Sequence, residues 1–123
     1  MTGQEVLDRA LHLLNYTDSK GDLSALQNAD IYKRGLTVVN TVLADVQHCS
    51  GGLYQPVSVM TDPLPVAEET AARVMPCGVA MLIAQSEGDG DSQELMTDHY
   101  NRLRTSVPRQ TRQVVDVGPR PEG

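Results

Sequence analysis

Between Val74 and Ala84 the chain reads Val74, Met75, Pro76, Cys77, Gly78, Val79, Ala80, Met81, Leu82, Ile83, Ala84, without a single charge. A helix apolar nearly all round has no face to turn to water, so it is the buried central element of whatever fold forms. The stretch is too short to cross a bilayer, which needs roughly 20 residues. Pro76 lacks an N–H and its ring collides with the preceding turn, so it predicts a kink or a split. Gly78, close by, lets a neighbour's backbone approach.

Little bulk is at hand to cover such a helix. At 123 residues the chain is one small domain. It has no Phe and no Trp, and its four Tyr are Tyr16, Tyr32, Tyr54 and Tyr100. Aromatic side chains carry the largest burial areas, so a core of Leu, Val, Ile, Met and Ala is thin. Modules that bind single-stranded nucleic acid by stacking bases on aromatic platforms are disfavoured by the same count.

Helical periodicity supplies the cover. Thr2-Gly3-Gln4-Glu5 has capping-box spacing, and Val6, Leu7, Ala10, Leu11 and Leu14 follow it, which predicts a first helix over residues 3–15. A polar turn, Asn15 to Asp22, comes next. A second helix is expected over residues 25–48, with Leu36, Val39, Leu43 and Val46 as its apolar stripe and Ser50-Gly51-Gly52 as its end. Gly35 inside it either serves close packing or marks a break after a short segment near Leu26. Leu53 to Pro65 is punctuated by Pro56, Pro63 and Pro65, and is long for a plain connection, so it predicts a loop that contacts something. Val57-Ser58-Val59 within it alternates and can pair as a short strand. The apolar helix begins near Ala67, with Glu68 and Glu69 in its first turn. A last helix over 92–105, capped through Asp91 and Glu94, turns Leu95, Met96, Leu103 and either Tyr100 or His99 inward. The fold class is mainly α, a small four-helix bundle with an extended Pro-rich loop and an extended C-terminal arm. The helical domain covers 1–106 and the arm 107–123.

Charge divides along this boundary. Residues 101–123 hold five arginines against Asp116 and Glu122, a net of +3, which leaves −9 on the first 100 residues of a chain whose total is −6. An acidic body is not one that wraps DNA phosphates. The two cysteines, Cys49 and Cys77, make no disulfide framework, and the start of the chain lacks the layout of a secretory leader. Both thiols are expected to be free in a reducing cytoplasm.

No constellation of side chains assembles an active site. Glu87, Asp89, Asp91 and Asp98 fall near calcium-loop spacing, but Ser92 and Asp98 stand where Gly and Glu are wanted. A solvated turn that caps the next helix is the plainer reading. His48-Cys49 and Asp98-His99 are adjacent pairs, and neighbours on a helix point about 100° apart. His12, His48 and His99 lack metal-ligand spacing. The expectation is no catalytic residue, no cofactor, no metal and no enzymatic activity.

The arm can be a solvated terminus or a docking segment. Val114, Val115 and Val117 in a charged, Pro-bounded stretch favour docking, by added main-chain hydrogen bonds to a partner's edge. Arg109, Arg112 and Arg120 can pair with acidic patches on another molecule. Tyr54, Val57 and Val59 are the corresponding docking residues of the Pro-rich loop.

In order along the chain stand a short capped helix, a longer one ending at Ser50-Gly51-Gly52, and a Pro-rich loop leading through Asp62-Pro63-Leu64-Pro65 into the next helix. Then come Cys77 to Asp91 as a helix ending in an acidic turn, Tyr100-Asn101-Arg102 in the last helix, and a basic arm. This order resembles the small head–tail connector proteins (adaptor or head-completion proteins) of tailed bacteriophages, with Pro76 as a departure from their pattern. The resemblance implies a structural protein of the virion neck, assembled in the host cytoplasm. It implies a self-assembled ring, a dodecamer, beneath the portal protein, with a face for the next neck or tail-completion protein. Double-stranded DNA would pass through the channel without sequence-specific binding, and no membrane is involved. In that family the arm and the loop between the second and third helices reach neighbouring proteins. A ring needs two complementary patches on one chain, and an acidic body with a basic arm offers such a pair.

Two other classes compete. A small helical nucleic-acid-binding or regulatory module would use the basic arm, but Asp91, Glu94 and Asp98 stand where a recognition helix meets DNA. A small enzyme would have to use His48/Cys49 or Asp98/His99.

Overall fold

The computed structural model describes residues 1–109. The arm positions Arg112, Val114, Val115, Val117 and Arg120 lie outside the described residues. Helix α1 spans Gly3–Leu13, α2 Ala29–Cys49, α3 Glu68–Arg73, α4 Met75–Ser86 and α5 Gly90–Arg104. Together they form the expected small helical bundle, with the third of its four helices broken into α3 and α4.

Helix α1 starts from the expected capping box. The Thr2 hydroxyl accepts from the Glu5 N–H at 3.2 Å, and the Glu5 carboxylate accepts from the Thr2 N–H at 2.9 Å. Its inward face, Val6, Leu7, Ala10 and Leu11, is fully buried. Asn15 ends the helix at φ 60°, a left-handed conformation that Asn tolerates, and the Tyr16 N–H reaches back to the Leu11 carbonyl at 3.0 Å.

Helix α2 begins at Ala29 rather than 25, because residues 25–28 form turns in which the Ser24 hydroxyl takes the Gln27 N–H at 3.2 Å. The break therefore falls before the helix, and Gly35 serves close packing. A Cβ there would stand 2.9 Å from Leu7 Cδ2 of α1.

Pro76 splits the third helix at Val74. Without an N–H it cannot bond the carbonyl of Ala72, four residues back. That carbonyl instead accepts from Arg9 Nη1 of α1 at 3.4 Å. Beyond the break α4 packs against every other helix and buries Met75, Cys77, Val79, Ala80, Ile83 and Ala84. Gly78 is where the packing is closest, since a Cβ would lie 2.7 Å from Tyr100 Cε1 of α5 and 2.8 Å from Val42 Cγ1 of α2.

The last helix is capped two residues earlier than its sequence spacing suggests. Asp89 takes the Ser92 N–H at 3.3 Å and α5 starts at Gly90. Met96 and Tyr100 point inward as expected. Leu95 does not, and is 52% exposed. Met96 and Tyr100 are four residues apart and sit on the face that meets α4, while Leu95 is displaced from that face by one helical step. Val57-Ser58-Val59 pairs with no strand. The single bridge among the described residues joins Thr2 to Pro63.

Gly78→Ala should lower stability by about 1–3 kcal/mol, because overpacking a tight contact outweighs the gain in helix propensity. Gly90→Ala, with open space around its Cβ, should be neutral or stabilising by less than about 1 kcal/mol. Urea midpoints of the two variants check the contrast.

Candidate functional site

With α4 sealed inside, the surfaces open to function are the Pro-rich loop, the root of the arm and the outer helix faces. The loop carries no regular structure, so its backbone groups need other partners. Two amide side chains of α2 supply them. Asn40 Nδ2 donates to the Val57 carbonyl at 3.0 Å while its Oδ1 accepts from the Val57 N–H at 2.9 Å. Gln47 repeats the pattern two residues away. Its Nε2 donates to the Gln55 carbonyl at 3.1 Å and its Oε1 accepts from the Gln55 N–H at 2.9 Å. Asn40 and Gln47 are seven residues apart and share one face of α2, and Gln55 and Val57 share one face of an extended segment. The helix therefore holds the loop as a neighbouring strand would. Gln47 is buried, so losing its bonds leaves polar groups unsatisfied at a cost of about 1–3 kcal/mol.

This clamp sorts the loop's proposed docking residues. Val57 is 7% exposed and belongs to the chain's own core, which withdraws its side chain from the docking set. Tyr54 and Val59 face outward, as does Leu53 at 83% exposure. Leu53 was missed in the sequence because it follows the helix-ending glycines and reads as part of the turn.

The root of the arm is fixed by a second cluster. Asp45 of α2 receives Arg104 in two-pronged fashion, Nε to Oδ2 at 2.9 Å and Nη2 to Oδ1 at 2.7 Å. Tyr100 donates its hydroxyl to the same carboxylate. The Arg104 guanidinium, with help from the Tyr100 hydroxyl, holds the Asp45 carboxyl below its usual range. Burial, then the carboxylate beside it, pushes the Tyr100 phenol up. Beyond this clamp the chain turns, and Val107, Pro108 and Arg109 border a groove of about 560 Å³ with Val46, Ser50, Leu64 and Val66. Arg109 Nη2 lies 3.0 Å from where a Cβ on Gly51 would sit. Arg109 thus lies over the end of α2, where the negative end of the helix dipole favours a cation.

His48 is exposed and Cys49 half-buried, and Asp98 is engaged by Arg102 Nη2 at 2.9 Å. Among the described residues no group of three His, Cys, Asp or Glu is placed to hold a metal. The acidic turn is spent locally. Asp89 caps α5 and accepts from the Tyr16 hydroxyl at 3.0 Å, and Glu87 pairs with Arg34 at 3.1 Å. Burial first, and the Asp89 bond next, raise the Tyr16 phenol to about 12. No helix among the described residues is long and apolar enough to cross a membrane. Comparison with family models, with curated proteins and with solved structures finds no match for the chain.

Two outcomes follow. A carboxylate whose folded pKa lies below its unfolded one stabilises the fold above the unfolded value, and that contribution is lost as pH falls through the folded one. Asp45→Asn should therefore be less stable than wild type at neutral pH, by about 1–3 kcal/mol for bonds to a charged group. The gap should close as pH drops below about 4, the ordinary carboxylate range. Urea titrations across that range check it. Gln47→Leu should lower stability by about 1–3 kcal/mol and speed amide exchange at Gln55, read by NMR.

Proposed function

We propose that this chain is a structural assembly protein, and that it forms a ring beneath a portal which connects a capsid to a tail and extends the DNA channel. The observation that carries the reading is the clamped loop. The chain spends two amides of α2, Asn40 and the buried Gln47, on holding an irregular segment that leaves the side chains of Leu53, Tyr54 and Val59 exposed. A rigid support under exposed apolar side chains is how a platform for another protein is built. The Asp45–Tyr100–Arg104 cluster likewise fixes the point from which the basic arm departs. The order of helices, loop and arm that resembles phage head–tail connectors supplies the particular assembly. On this reading the partners are further copies of the chain, the portal protein, the next neck protein, and double-stranded DNA in passage.

The nucleic-acid-binding alternative is weaker on the same geometry. The outer face of α5 carries Asp91, Glu94 and Asp98, all exposed, and these repel phosphates.

Removing residues 110–123 should leave the helical body folded by circular dichroism and reduce incorporation into particles. Electron cryo-microscopy of particle necks should show a ring of this chain next to the portal. Its absence from the neck would refute the proposed function.

A further inference from the structure

The described surface holds a groove and a helix face that match each other in shape of chemistry. The groove, about 450 Å³, lies where the C-terminal half of α1 meets the α3–α4 break, and is lined by Arg9, His12, Leu13, Ala72, Arg73, Pro76 and Cys77. Its apolar part is Leu13, Ala72, Pro76 and Cys77, and Leu13 is 46% exposed. Its polar rim carries cations only, Arg9 and Arg73, together with His12. Arg9 is exposed and spends one N–H on the Ala72 carbonyl. Arg73 pairs with Glu69 at 3.0 Å, with both side chains more than half exposed, so that pair is weak and readily exchanged. A groove of this kind suits an apolar side chain flanked by carboxylates.

Such a group exists on the same chain. Leu95 stands 52% exposed on the outer face of α5. Asp91, one turn before it, and Asp98, one turn after it, share that face, and Glu94 lies beside them. Asp98 pairs with Arg102 at 2.9 Å, both side chains more than half exposed, a contact as readily exchanged as Arg73–Glu69. All three acids are exposed. Among the described residues Leu95 stands outside the buried core, half exposed among acidic side chains.

We propose that the groove receives the Leu95 face of α5 from a second copy of this chain. Leu95 enters between Leu13 and Pro76, Asp91 meets Arg73, and Asp98 meets Arg9. Donor and acceptor surfaces differ, so the contact is head-to-tail, and repetition gives a closed ring or an open string. The inference deepens the ring reading, on which its biological meaning rests, by naming the interface between neighbours. It also accounts for an acidic body that must nonetheless self-associate. Opposite charges meet at this contact, whereas like charges elsewhere resist wrong pairings.

Cysteine pairing tests it. In a Cys49→Ser/Cys77→Ala background, Leu13→Cys and Leu95→Cys are made separately and oxidised alone and as a mixture. The expected result is a cross-linked dimer from the mixture, little from either alone, and a ladder of higher oligomers when both cysteines stand on one chain. Absence of the mixed dimer, or equal self-cross-linking of each variant, would overturn the contact. Surface charges give a second reading that leaves the core untouched. Arg73→Glu or Asp91→Lys alone should weaken self-association about tenfold by sedimentation, and the two together on one chain should recover it. No loss, or no recovery, would overturn the proposal. A ring seen at the particle neck without the cross-link would refute this contact and leave the ring. The cross-link in a protein absent from the neck would do the reverse.

Discussion

The fold depends on covering most of α4 with small side chains. A charge-free helix of twelve residues, Met75–Ser86, cannot rest on a surface, and this chain has neither Phe nor Trp to wrap it. Cover therefore comes from close approach. At Gly78 the helix gives up its own side chain so that Tyr100 from α5 and Val42 from α2 can come within contact of its backbone. At Gly35 the second helix does the same for Leu7 of α1. Interiors are close-packed, so when large side chains are missing the backbones must draw together.

Close approach leaves irregular segments between the helices, and polar side chains tie them down. Asn40 and Gln47 serve as a substitute strand for the loop, Arg9 caps the carbonyl that Pro76 orphans, and Asp89 caps the start of α5 while anchoring Tyr16. Two of the four tyrosines, Tyr16 and Tyr100, place their rings among apolar residues and their hydroxyls on aspartates. Each such bond adds about 1 kcal/mol, and more where it reaches a charge. Their larger effect is positional, because the loop and the arm leave the body at fixed places.

The sequence made the periodic parts of this fold legible. The α1 capping box, the apolar all-round run and the Pro76 break each rest on local chemistry, and each stands where that chemistry puts it. Misreadings arise where two neighbouring caps compete or where a distant partner decides. The start of α2 is set by turns around Ser24, and the α5 cap by Asp89 rather than Asp91. Leu95 looks inward by hydropathy alone, since only the position of α4 determines which face of α5 is buried. Val57 and Val59 alternate as in a strand, where residues two apart share a face, yet Val57 lies in the core and Val59 outside, so the extended segment ends between them. Its pairing partner is a helix's amides, which no local pattern announces. The arginine groove is likewise invisible in sequence, because Arg9 and Arg73 meet only across the α1–α3 packing.

The functional reading inherits this arrangement. Packing around α4 leaves the exposed large apolar side chains on the clamped loop, on the turn before α2 at Leu26, and on the outer faces of α1 and α5. Native-state hydrogen exchange tests the central role of α4 most directly. The account predicts that the amides of Val79, Ala80, Ile83 and Ala84 exchange only through global unfolding, with the full denaturant dependence of the domain. Exchange of those amides through local opening, while α1 and α2 stay protected, would contradict it.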